Sequence, residues 1–328
     1  MGSVLVTGAT GFLGGHLVRR LKETGCSSIG LGRDPTRCMA LQSEGHRMVR
    51  HDLAEPMGIQ TRRQVQSVSA IVHCAALSAP FGPKAAFERA NVSATRHCIE
   101  LARELGVNRL ILISTPAVYF AFQDQLNVPE TAGLPSPVNH YARTKREAER
   151  LVLAAHDVGP MVLRPRGIYG RGDRALLPRL LQTARQRPLP HFRDGAARID
   201  LTHVNDVTDA ILAALAAGRE ADGGIFNVSG GEVVPVRDIA DQACRRAGID
   251  ARWRTVPFRP ALMACRAIEG IASVLPGSPE PPFTAYALGL FAFAQSLDIT
   301  RARSVLDWQP SISFEDGLKR TFETGDAG

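Results

Sequence analysis

Ser3–Gly14, SVLVTGATGFLG, is the stretch that decides the fold. Ser3–Thr7 is a short apolar, β-branched run, Gly8, Gly11 and Gly14 follow at even spacing, and His16–Thr24 continues with helical periodicity. Strand, glycine loop and helix therefore follow one another directly. Glycines at such a corner permit a tight turn and close backbone approach to a pyrophosphate, which then lies at the positive end of the helix dipole. The spacing is G-x-x-G-x-x-G rather than G-x-G-x-x-G, and Gly8, Thr10, Gly11, Phe12, Leu13 and Gly14 are the expected contacts to a dinucleotide.

Outward from this loop, Ser28–Leu31, Arg47–Arg50, Ala70–Cys74, Arg109–Ser114 and Met161–Arg164 read as further strands, with helices between them. That alternation predicts an α/β fold: a doubly wound parallel-sheet Rossmann domain with helices on both faces, ligands binding at the carboxyl ends of the strands. After the second strand an acidic residue would bind the adenosine ribose hydroxyl and repel a 2′-phosphate. This chain has Gly32 and Arg33, with Arg37 a turn later, so NADP(H) is favoured and NAD(H) is not excluded. Asp34, followed by Pro35, reads as a cap of the next helix. Asp52, next to Leu53, could accept from the adenine amino group or be a plain loop aspartate. Ala75 and Ala76 are small enough for the cofactor to approach, and Pro165 ends the sixth strand as a further expected contact. His73 reads as a satisfied structural histidine within its strand.

His140–Lys145, HYARTK, places Tyr141 and Lys145 on one helical face, where an ammonium favours the phenolate form of a neighbouring tyrosine. Ser114 and Thr115 stand at the carboxyl end of a strand, where a hydroxyl can orient a substrate carbonyl towards that tyrosine. The chain of 328 residues carries 39 Lys+Arg against 32 Asp+Glu, a net +7 explained as well by a phosphate-bearing cofactor as by nucleic acid. No basic run interleaved with aromatics supports nucleic acid. Cys26, Cys38, Cys74, Cys98, Cys244 and Cys265 show neither C-x-x-C spacing nor His partners, so reduced thiols and no metal are expected. No apolar run reaches the roughly 18 residues of a membrane helix, and a cytoplasmic location with no integral membrane segment is the expectation.

With these motifs in place, the chain resembles the extended short-chain dehydrogenase/reductases, the NAD-dependent epimerase/dehydratase superfamily. Thr7–Gly14, His73–Ala76, Ser114–Tyr119, Tyr141–Lys145, Leu163–Gly170, Thr202–Val207 and Phe226–Glu232 carry the resemblance, in the family's order and over nearly the whole chain. It implies that Tyr141 is the general acid/base, that Lys145 lowers its pKa and holds the nicotinamide ribose, and that Thr115 polarises the carbonyl, with Ser114 as the alternative. Asn91 matches a family asparagine near the active site, or is structural. The strings STPAVY and RPRGIYG and the C-terminal PPFTAY resemble the 3β-hydroxysteroid dehydrogenase-like branch, which includes the 2-alkyl-3-oxoalkanoate reductases. Arg166-Gly167-Ile168-Tyr169 replaces the asparagine-containing string of sugar-nucleotide enzymes.

Length predicts two lobes: a Rossmann domain from 1–164 plus about 198–230, and a smaller, mainly helical substrate lobe from about 165–197 plus 231–328. Pro165–Pro190 reads as loop and short helices rather than a core element, and Val236–Ala247 and Ala261–Leu275 as helices. In the latter, Ala264, Ile268, Ile271 and Leu275 share a face expected to turn inward, either closing the small lobe or forming a greasy lid over an elongated apolar substrate. The expected activity is NADP(H)-dependent interconversion of a ketone and a secondary alcohol on a hydrophobic substrate, whether β-keto acid, steroid-like or other bulky apolar ketone. A nucleotide-sugar epimerase or dehydratase with retained cofactor and a non-catalytic dinucleotide sensor are the alternatives. Relatives commonly dimerise through a four-helix bundle, which here implies pairing of Phe87–Leu105 and Tyr141–Ala155.

Overall fold

The computed structural model describes residues 2–323. Its centre is a seven-stranded sheet whose spatial order is Ile225–Val228, Pro160–Pro165, Leu110–Ile113, Val68–His73, Ser3–Thr7, Ser28–Gly32 and Arg47–Arg50. Every pairing between these strands is parallel. A parallel sheet has to be covered on both faces, so its strands read as continuous apolar runs. The first strand shows how that works: Val4 and Val6 enter one core cluster while Leu5 enters the other. Phe12–Glu23 and Val204–Ala216 cover the Val4 side; Ala94–Glu104 and His140–Leu153 cover the Leu5 side. Chain order reverses at Ser3–Thr7, which lies between Val68–His73 and Ser28–Gly32, so the ligand crevice falls at the carboxyl end of this strand.

The loop after that strand is as compact as its glycines demand. Gly8 takes a left-handed φ of +67°, and a Cβ on it would stand 2.7 Å from the Ala75 nitrogen; a Cβ on Gly14 would collide with the Gly8 carbonyl. The helix read as Phe87–Leu105 is interrupted: Lys84–Phe87 is α-helical, Glu88–Ser93 opens into a π-helical turn, and Ala94–Glu104 resumes. Asn91 lies inside that turn, where its side chain joins two other segments, as detailed below. Pro165–Pro190 also supplies more than loop. It contains the helix Leu177–Gln186, and Leu177, Ala184 and Leu189 are buried among Val236–Arg246 and its surroundings.

A second, four-stranded sheet orders Val233–Pro235, Arg198–Asp200, Gln295–Leu297 and Gln125–Val128, Trp253–Thr255 pairs with Leu189–His191, and helices make up most of the remaining C-terminal region. The helix Phe258–Val274 corrects the sequence expectation. Its stripe of Ala264, Ile268, Ile271 and Leu275 faces solvent, with Ile271 63% exposed, while Cys265, Ala272 and Glu269 turn inward. The reason is the neighbour it packs on, Ala285–Ala292: its Leu288 and Ala292 join Cys265 in one buried cluster, so the Cys265 face is the one covered. Glu269 completes the contact by accepting from the Ala285 backbone N–H at 2.9 Å, a carboxylate on the positive end of that helix.

Candidate active site

Asn139 starts the central helix by accepting from the Ala142 N–H at 2.8 Å. From that fixed start, Tyr141, Lys145 and Glu149 recur every four residues and line one face. Lys145, 2% exposed, donates to the Ile113 carbonyl at 2.7 Å, where the neighbouring strand ends. Glu149, 3% exposed, accepts from the Ser114 hydroxyl at 2.5 Å and from Arg164 at 2.9 and 2.6 Å. Arg164 also donates to the Tyr119 hydroxyl, which in turn donates to the Asn227 side-chain oxygen at 3.0 Å. A buried, fully hydrogen-bonded ion pair thus forms a floor beneath the Tyr141 helix and ties three strand ends to it.

Burial decides the protonation states. It drives the Lys145 pKa down to about 8, against the charge of Glu149 and the Cys74 thiol, which raise it. It drives the Tyr141 pKa up to about 12; the Thr115 hydroxyl acts in the opposite sense, and Tyr286 adds to the rise. Desolvation of the phenol is the largest cause and works against the expected lowering of Tyr141 by Lys145. Tyr141 is therefore a protonated phenol at neutral pH, able to donate. Ser114 has its hydroxyl committed to Glu149. Thr115 accepts from the Ala117 N–H at 3.2 Å, which leaves its own proton available beside Tyr141.

Asn91 is completely buried and all of its side chain is used: it accepts from Leu77 N–H at 2.7 Å and donates to the Thr144 hydroxyl at 2.9 Å. It joins the loop after Ala75-Ala76 to the Tyr141 helix, one residue from Lys145. His73 bonds Thr7 at 2.8 Å and Thr95 at 3.2 Å through its two ring nitrogens, and burial lowers its pKa to about 3. It is a neutral structural residue.

The glycine loop fits a dinucleotide. Gly11 begins Phe12–Glu23 with no side-chain cap and no acidic residue in the first turn, so the first N–H groups and the positive helix end face an open, side-chain-free cradle. Thr10 packs against Gly32, and its carbonyl accepts from Arg37 at 2.9 Å, which ties the loop to the second strand's end. Asp34 caps the following helix, accepting from Arg37 N–H at 3.1 Å. Arg33 is exposed, with its nearest anion, Asp52, at 3.8 Å, and Asp52 is also approached by Arg89 at 3.4 Å. Leu53 is buried, Ala75 N–H is 3.3 Å from the Thr7 hydroxyl, Ala76 follows it, and Pro165 closes its strand at the same sheet edge.

Glu149, Arg164, Tyr119, Asn227, Tyr286 and Arg166 were not legible as site residues. Glu149 had a signal, since it extends the Tyr141/Lys145 spacing by one more turn; the others come from distant strands and helices that only the fold assembles.

A glycine cradle at the switch point of a parallel sheet, with a protonated tyrosine, a lysine and a hydroxyl on its rim, is the arrangement of an NAD(P)-dependent oxidoreductase or epimerase of the extended short-chain type. The comparisons agree: the chain belongs to the NAD dependent epimerase/dehydratase family, whose model matches residues 4–229. It is similar to 2-alkyl-3-oxoalkanoate reductase of Stenotrophomonas maltophilia, 32% identical over 328 residues, 97% of each chain. The decarboxylating sterol-4-alpha-carboxylate 3-dehydrogenase of Saccharomyces cerevisiae is 26% identical, covering 99% of this chain and 98% of the relative. Among solved structures, UDP-glucuronic acid 4-epimerase from Bacillus cereus, in complex with NAD, superposes with a TM-score of 0.76 at 22% identity, over 98% of this chain and 97% of the other, and shares the fold. Among the described residues no helix is long and apolar enough to cross a membrane.

Proposed function

We propose that this protein is an NADPH-dependent reductase of hydrophobic ketones. The observation that carries this is the aromatic wall beside Tyr141. Tyr286 acts electrostatically on Tyr141 and meets Phe120 edge-on at 5.0 Å; Phe122, Phe258 and Phe293 continue the wall, with Phe120–Phe122 at 5.4 Å and Phe258–Phe293 at 5.0 Å. Such a surface favours an alkyl or polycyclic body over a sugar nucleotide. The bound nicotinamide would supply hydride to the carbonyl carbon. Thr115 and Tyr141 hold the carbonyl oxygen by hydrogen bonds that strengthen as negative charge grows on it, and Tyr141 gives that oxygen its proton. Lys145, held by the Ile113 carbonyl and favoured in its charged form by Glu149, keeps a positive charge under the phenolate that remains.

Arg33, exposed at the end of Ser28–Gly32, supports NADPH, with Arg37 beside it held by Asp34 at 3.4 Å and by the Thr10 carbonyl at 2.9 Å. Two copies would pair through Phe87–Leu105 and Tyr141–Ala155. The names of the reductase and sterol dehydrogenase relatives support the hydrophobic ketone; the epimerase among the structural neighbours supports the second reading, sugar-nucleotide epimerisation with retained cofactor. Purified protein is given NADPH or NADH with 2-alkyl-3-oxo acids and bulky cyclic ketones, and separately UDP-sugars. Stoichiometric NADPH consumption with a ketone is expected. Turnover of a UDP-sugar without net change in cofactor absorbance, and none with ketones, would replace this function by the epimerase.

A further inference from the structure

Arg166 is a buried cation whose ionic partner, an Asp200 oxygen that itself makes no hydrogen bond, stands 3.6 Å from its Nε. It is 5% exposed, and its Nε and Nη2 make no hydrogen bond. At 3.6 Å the pair is outside hydrogen-bond range, and the other Asp200 oxygen is already held by the Ser229 hydroxyl at 2.6 Å and the Leu297 N–H at 2.9 Å. A guanidinium left with unused donors in the interior is costly, and it matches the fork of a carboxylate. The Arg166 backbone cannot relax away from this place. Its N–H donates to the Val228 carbonyl at 2.8 Å and its carbonyl accepts from Thr202 at 2.7 Å.

The register places the Arg166 backbone next to the reacting residues. Ile113 pairs with Leu163, so continuing the two strands sets Thr115 beside Pro165, with Arg166 the next residue along the substrate edge. We propose that Arg166 is the carboxylate-binding and specificity-determining residue of this site, gripping an acid group close to the reacting carbonyl. A 3-oxo acid, whose carboxylate stands one carbon from its ketone, is the substrate class this place beside Pro165 suits. This inference rests on the ketone-reductase function for its substrate.

The test compares a 2-alkyl-3-oxo acid with its methyl ester, using wild type, Arg166→Gln and Arg166→Lys. Wild type should prefer the acid, and the acid-to-ester ratio of kcat/KM should fall about 100-fold in Arg166→Gln and less in Arg166→Lys, the size expected for charge-assisted hydrogen bonds lost from a buried site. Binding of a 3-hydroxy fatty acid by calorimetry is read in parallel and should be lost in Arg166→Gln. An unchanged ratio with unchanged binding would overturn the assignment and make Arg166 a structural partner of Asp200. If wild type reduces neither compound, the reductase function fails, and binding alone then decides Arg166: Arg166-dependent binding supports the carboxylate site and its absence removes it.

Discussion

Two amphipathic helices of this molecule bury opposite kinds of side chain. His140–Leu153 turns Lys145 and Glu149 into the interior, while Phe258–Val274 turns Ile268 and Ile271 out to solvent. Hydrophobicity alone would arrange both the other way. The first is possible because each buried charge meets a partner, Glu149 on Arg164 and Lys145 on the Ile113 carbonyl. The second follows from the neighbour, Ala285–Ala292, whose Leu288 and Ala292 cluster with Cys265 and leave the Ile268 face uncovered. Which face of a helix is buried is decided by its partner as much as by its own pattern.

The largest effect should come from the charged inward face. Tyr141→Phe is expected to lower kcat by about 10²–10⁴-fold, the usual worth of a positioned proton donor, with thermal stability retained. If activity survived, the Tyr141 face would be structural and the contrast between the helices would lose its functional half. Arg164→Met strands the Glu149 carboxylate and should cost about 3–5 kcal/mol in urea unfolding; a loss under about 1 kcal/mol would mean that the floor is not cooperative with the fold. On the second helix, Ala272→Leu overpacks a buried position and should cost about 1–3 kcal/mol. Ile271→Ser, on the exposed side, should change stability by no more than about 0.5 kcal/mol. Reversal of the last two would restore the face that sequence pattern selects.

These contrasts also show what was legible. The strands of the parallel sheet were, because Val4, Leu5 and Val6 are buried whichever face they point to, and only a covered sheet accepts such a run. Gly8 and Gly14 were, because no other residue fits their backbone. Tyr141 and Lys145 were, through their spacing. Glu149 was not, since a glutamate in a helix otherwise reads as solvated, and its partner Arg164 lies on a strand that only the folded sheet brings near. Arg166 was noticed as a departure from the sugar-nucleotide pattern but not as a group, because an arginine's burial depends on what surrounds it in space. The outward apolar stripe misled for the same reason.

The buried floor sets the protonation of Lys145, and the pH dependence of kcat/KM reads it directly. Lys145 has its pKa lowered by burial to about 8, so its ammonium is present below that pH and lost as pH rises through it. Glu149 raises that pKa, and removing its charge should lower it. Wild type is therefore predicted to lose activity on the alkaline side near pH 8, and Glu149→Gln to lose it at lower pH. An alkaline limb at the same pH in both proteins would contradict the claim, leaving Glu149 and Arg164 as a structural pair with no hold on the chemistry above them.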